Sequence, residues 1–291
     1  MRWTLAVHGG AGEWKSAKHQ AALDGVRAAA NKGVALLESG ASALDAVCAV
    51  VVALENDPLF NAGTGGVLNR VGEAELDASV MRGTDLAFGG VGAIARVRNP
   101  VLVARAVMEH SEHALLVGEG AQQFARARGF EDYDPISAQA RADYENKLAS
   151  AGLGTVGAVA MDANGCLASA TSTGGVALKL PGRIGDSPLP GAGTYATRSA
   201  AVSATGQGEL IMRVLAAKSI SDLIAGGMHA QAAVENILQS MRDTVGADAG
   251  FIAIGADGSF GIAHDTPHMV HGWASSASPR IEARMRVAWS S

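Results

Sequence analysis

Apolar residues fall into two recurring patterns along this chain. Short runs in which nearly every position is apolar or small, at residues 4–7, 75–81, 155–161, 167–172, 200–204 and 250–254, predict strands, with further candidates at 67–69, 90–97 and 259–264. Longer stretches space their apolar positions three or four apart. Residues 18–37 carry Ala22, Val26, Ala29 and Ala30 on one face and predict a helix. A second helix opens at Ser42, a good cap residue, and runs to Leu54, where Asp57-Pro58 stops it. Helices are expected also over 100–110, 118–128, 208–218 and 228–243. Residues 131–152 are more polar and end in small residues, which reads as a partly helical linker with a flexible end. Strands and helices occur throughout without regular alternation, so the expected class is α+β in packed layers.

Composition narrows the picture. With 48% hydrophobic but only 4% aromatic residues, the core must be built from Ala, Val, Leu and Ile, and 37 glycines favour tight turns and close backbone approaches. At 291 residues, one large domain or two tight ones are compatible with the length. A net charge of −5, with no run of Lys or Arg, argues against a nucleic-acid surface. Cys48 and Cys166 are too few and too isolated for a disulfide framework or a zinc site, and both read as small buried hydrophobes. No stretch approaches a membrane span. The opening residues hold one Arg and an apolar run too short for a secretory core, so a cytoplasmic protein is expected.

The densest candidate chemistry lies in residues 154–186. Gly154 precedes Thr155 at the head of a strand, a Thr-Ser-Thr-Gly-Gly turn follows at residues 171–175, and Arg183 and Asp186 stand three apart among glycines. A hydroxyl with no side chain before it can be cut free as a new N-terminus. The α-amine so released, with a reference pKa of about 7.7–8.0, can deprotonate its own hydroxyl. Ordinary readings exist for each residue: threonine suits strand starts, hydroxyls suit turns, and Arg183 with Asp186 could form an exposed ion pair of little worth. Arginine's planar fork and a nearby carboxylate are equally what the two charged ends of an amino acid require. Residues 205–208, Thr-Gly-Gln-Gly, end a strand and open a helix, where free N–H groups suit an oxyanion. Two other motifs mislead. HGGAG at residues 8–12 lacks the G-x-S-x-G of lipases, and GGAGEWKS puts Trp14 where a P-loop needs glycine. His264, His268 and His271 are scattered in what reads as a C-terminal loop, and no catalytic metal is indicated.

Taken in order, HGGAG, ENDPLFNAGTGGVLN, ELDASVM, NPVLVARAVME, LLVGEGAQQFA, GDSPLPGAGTYA and AVSATGQGE resemble the plant-type asparaginase and isoaspartyl peptidase family of N-terminal nucleophile hydrolases, over nearly the whole chain. The resemblance implies a four-layer αββα sandwich and a precursor that cuts itself between Gly154 and Thr155. The resulting subunits, residues 1–154 and 155–291, would stay folded together as one domain. It makes Thr155 the nucleophile and sets the Thr173 hydroxyl and Asn61 beside it. Thr205 and Gly206 form the oxyanion hole. Arg183, Asp186 and Gly208 hold the charged end of the substrate. The implied substrates are small molecules, isoaspartyl dipeptides and L-asparagine, and the implied assembly is a dimer of processed heterodimers. No cofactor is required. A structural sodium ion is implied by the backbone carbonyls of Leu54, Glu55, Asp57, Phe60 and Ala62. Gln207 and Arg82 depart from the family pattern. Two alternatives stay open: a glycosylasparaginase, separable by assay on the glycosylated substrate, and an unprocessed, non-catalytic binding relative. Retention of Thr155, Thr173, Arg183, Asp186 and Thr205 together counts against the second.

Overall fold

A computed structural model describes residues 2–146 and 154–287. Their elements, in chain order, begin with β1 (Thr4–Gly12), α1 (His19–Glu38), α2 (Ala43–Glu55), β2 (Leu76–Arg82), β3 (Ala87–Ile94) and α3 (Pro100–His110). β4 (Leu115–Val117), α4 (Gly118–Ala127), α5 (Ala138–Glu145), β5 (Val156–Met161), β6 (Leu167–Thr173), β7 (Thr194–Ala196) and β8 (Ala200–Gly206) follow. The last are α6 (Gly208–Val214), α7 (Ala216–Ala225), α8 (Ala230–Thr244), β9 (Ala249–Gly255), β10 (Phe260–His264), β11 (His268–Ser275) and β12 (Ser278–Arg284). The class is α+β, as the pattern predicts.

The strands form an eight-stranded sheet in the order β12-β11-β1-β5-β6-β2-β3-β4 and a four-stranded sheet in the order β10-β9-β8-β7. In the large sheet β1 lies between β11 and β5, and β6 pairs with both β5 and β2. Strands from before and after residue 154 are therefore interleaved, and neither part of the chain can build this sheet alone.

Period-two alternation sorts each strand between two cores. Leu5 and Val7, Val156, Ala158 and Ala160, and Ala168 and Ala170 pack with α1, α2 and α3 on one face of the large sheet. Ala6, Met81, Val159, Met161 and Leu167 point the other way and meet Ala201, Ile252 and Ile254 of the small sheet. The far face of the small sheet, through Val202, Ala204 and Phe251, packs against α7 and α8. Because both faces of β5 are covered, its sequence is apolar at nearly every position.

Local signals set most boundaries. The Ser42 hydroxyl accepts the Asp45 N–H at 3.1 Å and caps α2, while Asp162 reaches from the β5–β6 turn to accept the Ala43 N–H at 3.0 Å. Pro100 begins α3, whose Val101 N–H donates to buried Glu55. Several expectations need correction. Residues 67–69 are a loop, with Val67 N–H donating to Asn61 and Leu178 N–H to the Leu68 carbonyl, so no strand ladder forms there. The helix expected over 208–218 breaks at Leu215, which takes φ 48°, because the Ala217 and Lys218 N–H groups donate to carbonyls of residues 192 and 191 and start a new helix. The stretch containing His268 and His271 is strand β11, not a loop, and His271 is buried. Cys48 is buried, whereas Cys166 sits half-buried in the β5–β6 turn. The end of the expected linker, residues 147–153, lies outside the described residues, and the part before it contains α5.

Between the sheets the packing tightens toward Thr155. A methyl group on Gly157 would overlap the Ser203 hydroxyl and the His8 ring. Gly157→Ala should therefore cost about 1–3 kcal/mol, the usual range for overpacking. Urea unfolding of variant and parent measures it, and a loss below about 0.5 kcal/mol would contradict this account of the interface.

Candidate active site

Alternation at the ends of β5, β6 and β8 brings the candidate residues together. Thr155 immediately precedes β5, and since Val156 pairs with Ser172, Thr155 stands across from Thr173. Both are nearly buried, at 5% and 3% exposure. With Gly154, Gly175, Val176, Arg183, Asp186 and Gly206 they line a small cleft.

The expected residues outside that lining lie close by. Gly208 abuts the charged pair, since a Cβ there would come within 2.7 Å of Asp186 Oδ1 and 3.1 Å of Arg183 Nη2. Asn61 sits behind Gly154: a Cβ on Gly154 would meet Asn61 Cβ at 3.3 Å. Asn61 is itself fixed, donating to the Gly175 carbonyl at 2.7 Å and accepting the Val67 N–H at 2.9 Å. Thr205 is fully buried, and its hydroxyl oxygen accepts the Ala11 N–H at 3.1 Å, leaving its proton to be donated elsewhere. Thr173 accepts the Gly175 N–H at 2.9 Å, which shapes the turn. Gly10, with φ 113°, lies against Gly154; a Cβ there would be 2.6 Å from the Gly154 Cα. Only glycine permits that approach.

Arg183 and Asp186 do not neutralise one another. The guanidinium closes its fork on Glu209, Nε to Oε1 at 2.9 Å and Nη2 to Oε2 at 2.8 Å, and holds that carboxyl below its ordinary range. Asp186, 3% exposed, keeps an Oδ2 without a hydrogen-bond partner. Burial pushes its carboxyl up to about 7, with Arg183 nearby pulling the other way. An unpaired carboxylate oxygen sealed in protein is costly.

Two further features escape sequence reading. Glu209 shares no motif with Arg183, and only the fold brings them together. His8, buried, bonds through Nδ1 to the Thr155 carbonyl at 2.9 Å and through Nε2 to the Ser203 hydroxyl at 2.9 Å. The HGGAG motif flags His8 without saying what it touches. Arg82, one of the departures, forms a surface pair with Asp85 at 2.8 Å and does not line the cleft. Gln207 is exposed between β8 and α6. No group of three or more His, Cys, Asp or Glu side chains among the described residues could hold a metal ion.

The family model described as Asparaginase matches residues 1–281. The chain belongs to this family. It is 42% identical to the isoaspartyl peptidase of Escherichia coli (strain K12), over 92% of both chains. To a plant-type L-asparaginase of Thermococcus kodakarensis it is 43% identical, over 96% of this chain and 98% of the relative. To an isoaspartyl peptidase/L-asparaginase of Xenopus laevis it is 39% identical, over 94% and 92%. No helix of this asparaginase-family chain, among the described residues, is long and apolar enough to cross a membrane.

The raised carboxyl of Asp186 gives this site a pH signature. Unfolded, the group ionises near 3.8, and folded near 7, so native stability is lost as pH rises through that window. Asn at this position has no proton to lose. Asp186→Asn should match the parent below pH 4 and exceed it by about 4 kcal/mol at pH 8. Urea midpoints across that range test it; a difference independent of pH would refute the buried-carboxyl explanation.

Proposed function

We propose that this protein is a self-cleaving threonine hydrolase that releases L-aspartate from isoaspartyl dipeptides and from L-asparagine. One observation carries the reading: a buried carboxylate with an unpaired oxygen stands beside a clamped arginine, at the rim of the cleft that holds Thr155. An α-ammonium supplies donors to Asp186, and its positive charge favours the ionised carboxylate. An α-carboxylate meets the guanidinium on the side that Glu209 leaves uncovered. Both substrates share these groups, so one site serves both. The printed names of the relatives support the same pair of activities.

Maturation comes first. The Thr155 hydroxyl attacks the Gly154 carbonyl; a C–O bond forms, the peptide C–N bond breaks, and the hydroxyl proton passes to the departing amine. Water then hydrolyses the ester, leaving a carboxylate on Gly154 and a free N-terminal threonine. In turnover the neutral α-amine takes the proton from its own hydroxyl, which attacks the substrate's side-chain carbonyl. The Thr205 hydroxyl and the Gly206 N–H stabilise the tetrahedral oxyanion. The departing amine takes a proton, and water releases aspartate from the acyl-enzyme. Thr173 and Asn61 fix the nucleophile's surroundings.

The interleaving of β1 between β11 and β5 supports subunits 1–154 and 155–291 that stay together after the cut, as one domain. Helices on the outer faces of both sheets support the four-layer αββα arrangement. The sodium proposed at the Leu54–Ala62 loop fits its all-oxygen donor set. The carbonyls of Asp57, Phe60 and Ala62 each accept one backbone N–H, which leaves each a second lone pair for a hard cation, whereas that of Leu54 already accepts two, from Asn56 and Asp57. Glu55 is fully buried beside them, and burial raises its carboxyl to about 7. No chemical step passes through that ion.

Incubated protein should convert from one 29.5 kDa chain to two fragments, the smaller beginning Thr-Val-Gly-Ala-Val. Thr155→Ala should stay intact and inactive. Mass spectrometry and N-terminal sequencing decide it, and a soluble parent chain that remains whole would sink the maturation step. Release of N-acetylglucosamine from glycosylasparagine, with no turnover of β-aspartyl dipeptides, would favour the alternative amidase.

Arg183→Lys keeps the charge but loses the fork, so kcat/KM on β-aspartyl dipeptides should fall roughly ten- to two-hundred-fold, the worth of one charged hydrogen bond. Unchanged kcat/KM would show that the carboxylate binds elsewhere.

A further inference from the structure

Beneath Thr155 the two sheets enclose a file of polar side chains that the proposed chemistry leaves unused. The Thr194 hydroxyl bonds to Thr171 Oγ1 at 2.6 Å, Thr171 to Ser203 Oγ at 2.8 Å, Ser203 to His8 Nε2 at 2.9 Å, and His8 Nδ1 to the Thr155 carbonyl at 2.9 Å. All five residues are at least 95% buried.

The end of this file fixes its direction. A carbonyl oxygen can only accept, so Nδ1 of His8 carries a proton. Burial pushes the imidazole down to about 3, so the ring is neutral and Nε2 carries none. Ser203 must then donate to Nε2, Thr171 to Ser203, and Thr194 to Thr171. The Ser187 carbonyl also lies within reach of Thr194, at a longer 3.1 Å. Every link thus has one polarity, and aligned hydrogen bonds in a dry interior reinforce one another.

The place where the file ends matters. The β1–β5 ladder runs from Thr4–Met161 to His8–Gly157 and stops, two residues short of Thr155. Beyond the ladder, the His8 side chain supplies the donor for the Thr155 carbonyl. Before cleavage, Thr155 is held at both ends, through its peptide bond to Gly154 and through this carbonyl. After cleavage the first tie is gone.

We propose that His8, oriented by Ser203, Thr171 and Thr194, is a positioning residue that fixes the backbone of the freed N-terminal threonine for turnover. The inference rests on the reading of Thr155 as nucleophile. It differs from a purely structural role in what it predicts. Loss of a link should slow turnover, through kcat, more than it slows the self-cleavage that precedes it, because the matured residue has lost its tie to Gly154 and is held from the Val156 side alone.

The test uses matured protein bearing Ser203→Ala, Thr171→Val or the conservative Thr171→Ser, with the uncleaved Thr155→Ala chain as control. Ser203→Ala and Thr171→Val should lower kcat about tenfold, the worth of one ordinary hydrogen bond, with KM within about twofold and self-cleavage slowed less than turnover. Thr171→Ser, which keeps the hydroxyl, should restore kcat to within about threefold of the parent. A parent-like kcat in both disruptive variants, beside an inactive Thr155→Ala, would overturn the positioning role and leave the nucleophile standing. A lower melting temperature with kcat unchanged would likewise reduce the file to a structural one. Activity in Thr155→Ala would remove the nucleophile itself, and the inference with it.

Discussion

Two sheets pressed face to face leave no room for bulk water, so every polar group set between them must find its partner inside the protein. At one end of the interface the problem does not arise, because Ala6, Val159, Met161, Ile252 and Ile254 fill it. At the other end Ser79, Ser169, Thr171, Thr194 and Ser203 face each other, and they bond to carbonyls and to one another. The same strands pass from one regime to the other within a few residues. Thr155 stands where the polar regime meets the cleft, so its surroundings are set by the need to satisfy buried hydroxyls as much as by any ligand.

That gradient explains why the sequence is legible in some places and silent in others. Helices α2 and α3 are announced by a serine cap, a proline and spaced apolar residues, and they form where those signals stand. Thr155, Arg183 and Asp186 are adjacent to glycines in recognisable segments, and the fold gathers them with Gly206 at one cleft. What the sequence does not carry is pairing across distance. Glu209 is a surface-like residue in a helix until the fold brings Arg183 to it. His271 follows a turn-like Asp265-Thr266-Pro267 and stands among spaced histidines, and only the ladder to β1 reveals a buried strand. The break at Leu215 has neither glycine nor proline to mark it, since its cause is two carbonyls contributed by another segment.

Stability and the proposed activity pull apart at this site. An unpaired Asp186 oxygen costs folding free energy, and the backbone at Gly206, φ 134°, and at Gly10 against Gly154 leaves both positions to glycine, whose unfolded chain has the most freedom to lose. The rest of the molecule offsets them through its helix-covered cores. Arg183 shows the complementary arrangement: Glu209 fixes one edge of the fork, so the other edge is oriented before anything binds, and less rotamer freedom is left to lose.

Gly154 borders the same cleft as Arg183 and Asp186, so the chain's own backbone and a foreign amino acid lay claim to a single volume. Under the proposed mechanism the newly made protein is therefore its own first customer, and each molecule acts once on itself before it can act on anything else. Activity in a population would then lag synthesis by a delay written into the fold. That delay is a first-order clock within each chain, indifferent to protein concentration and to the supply of substrate.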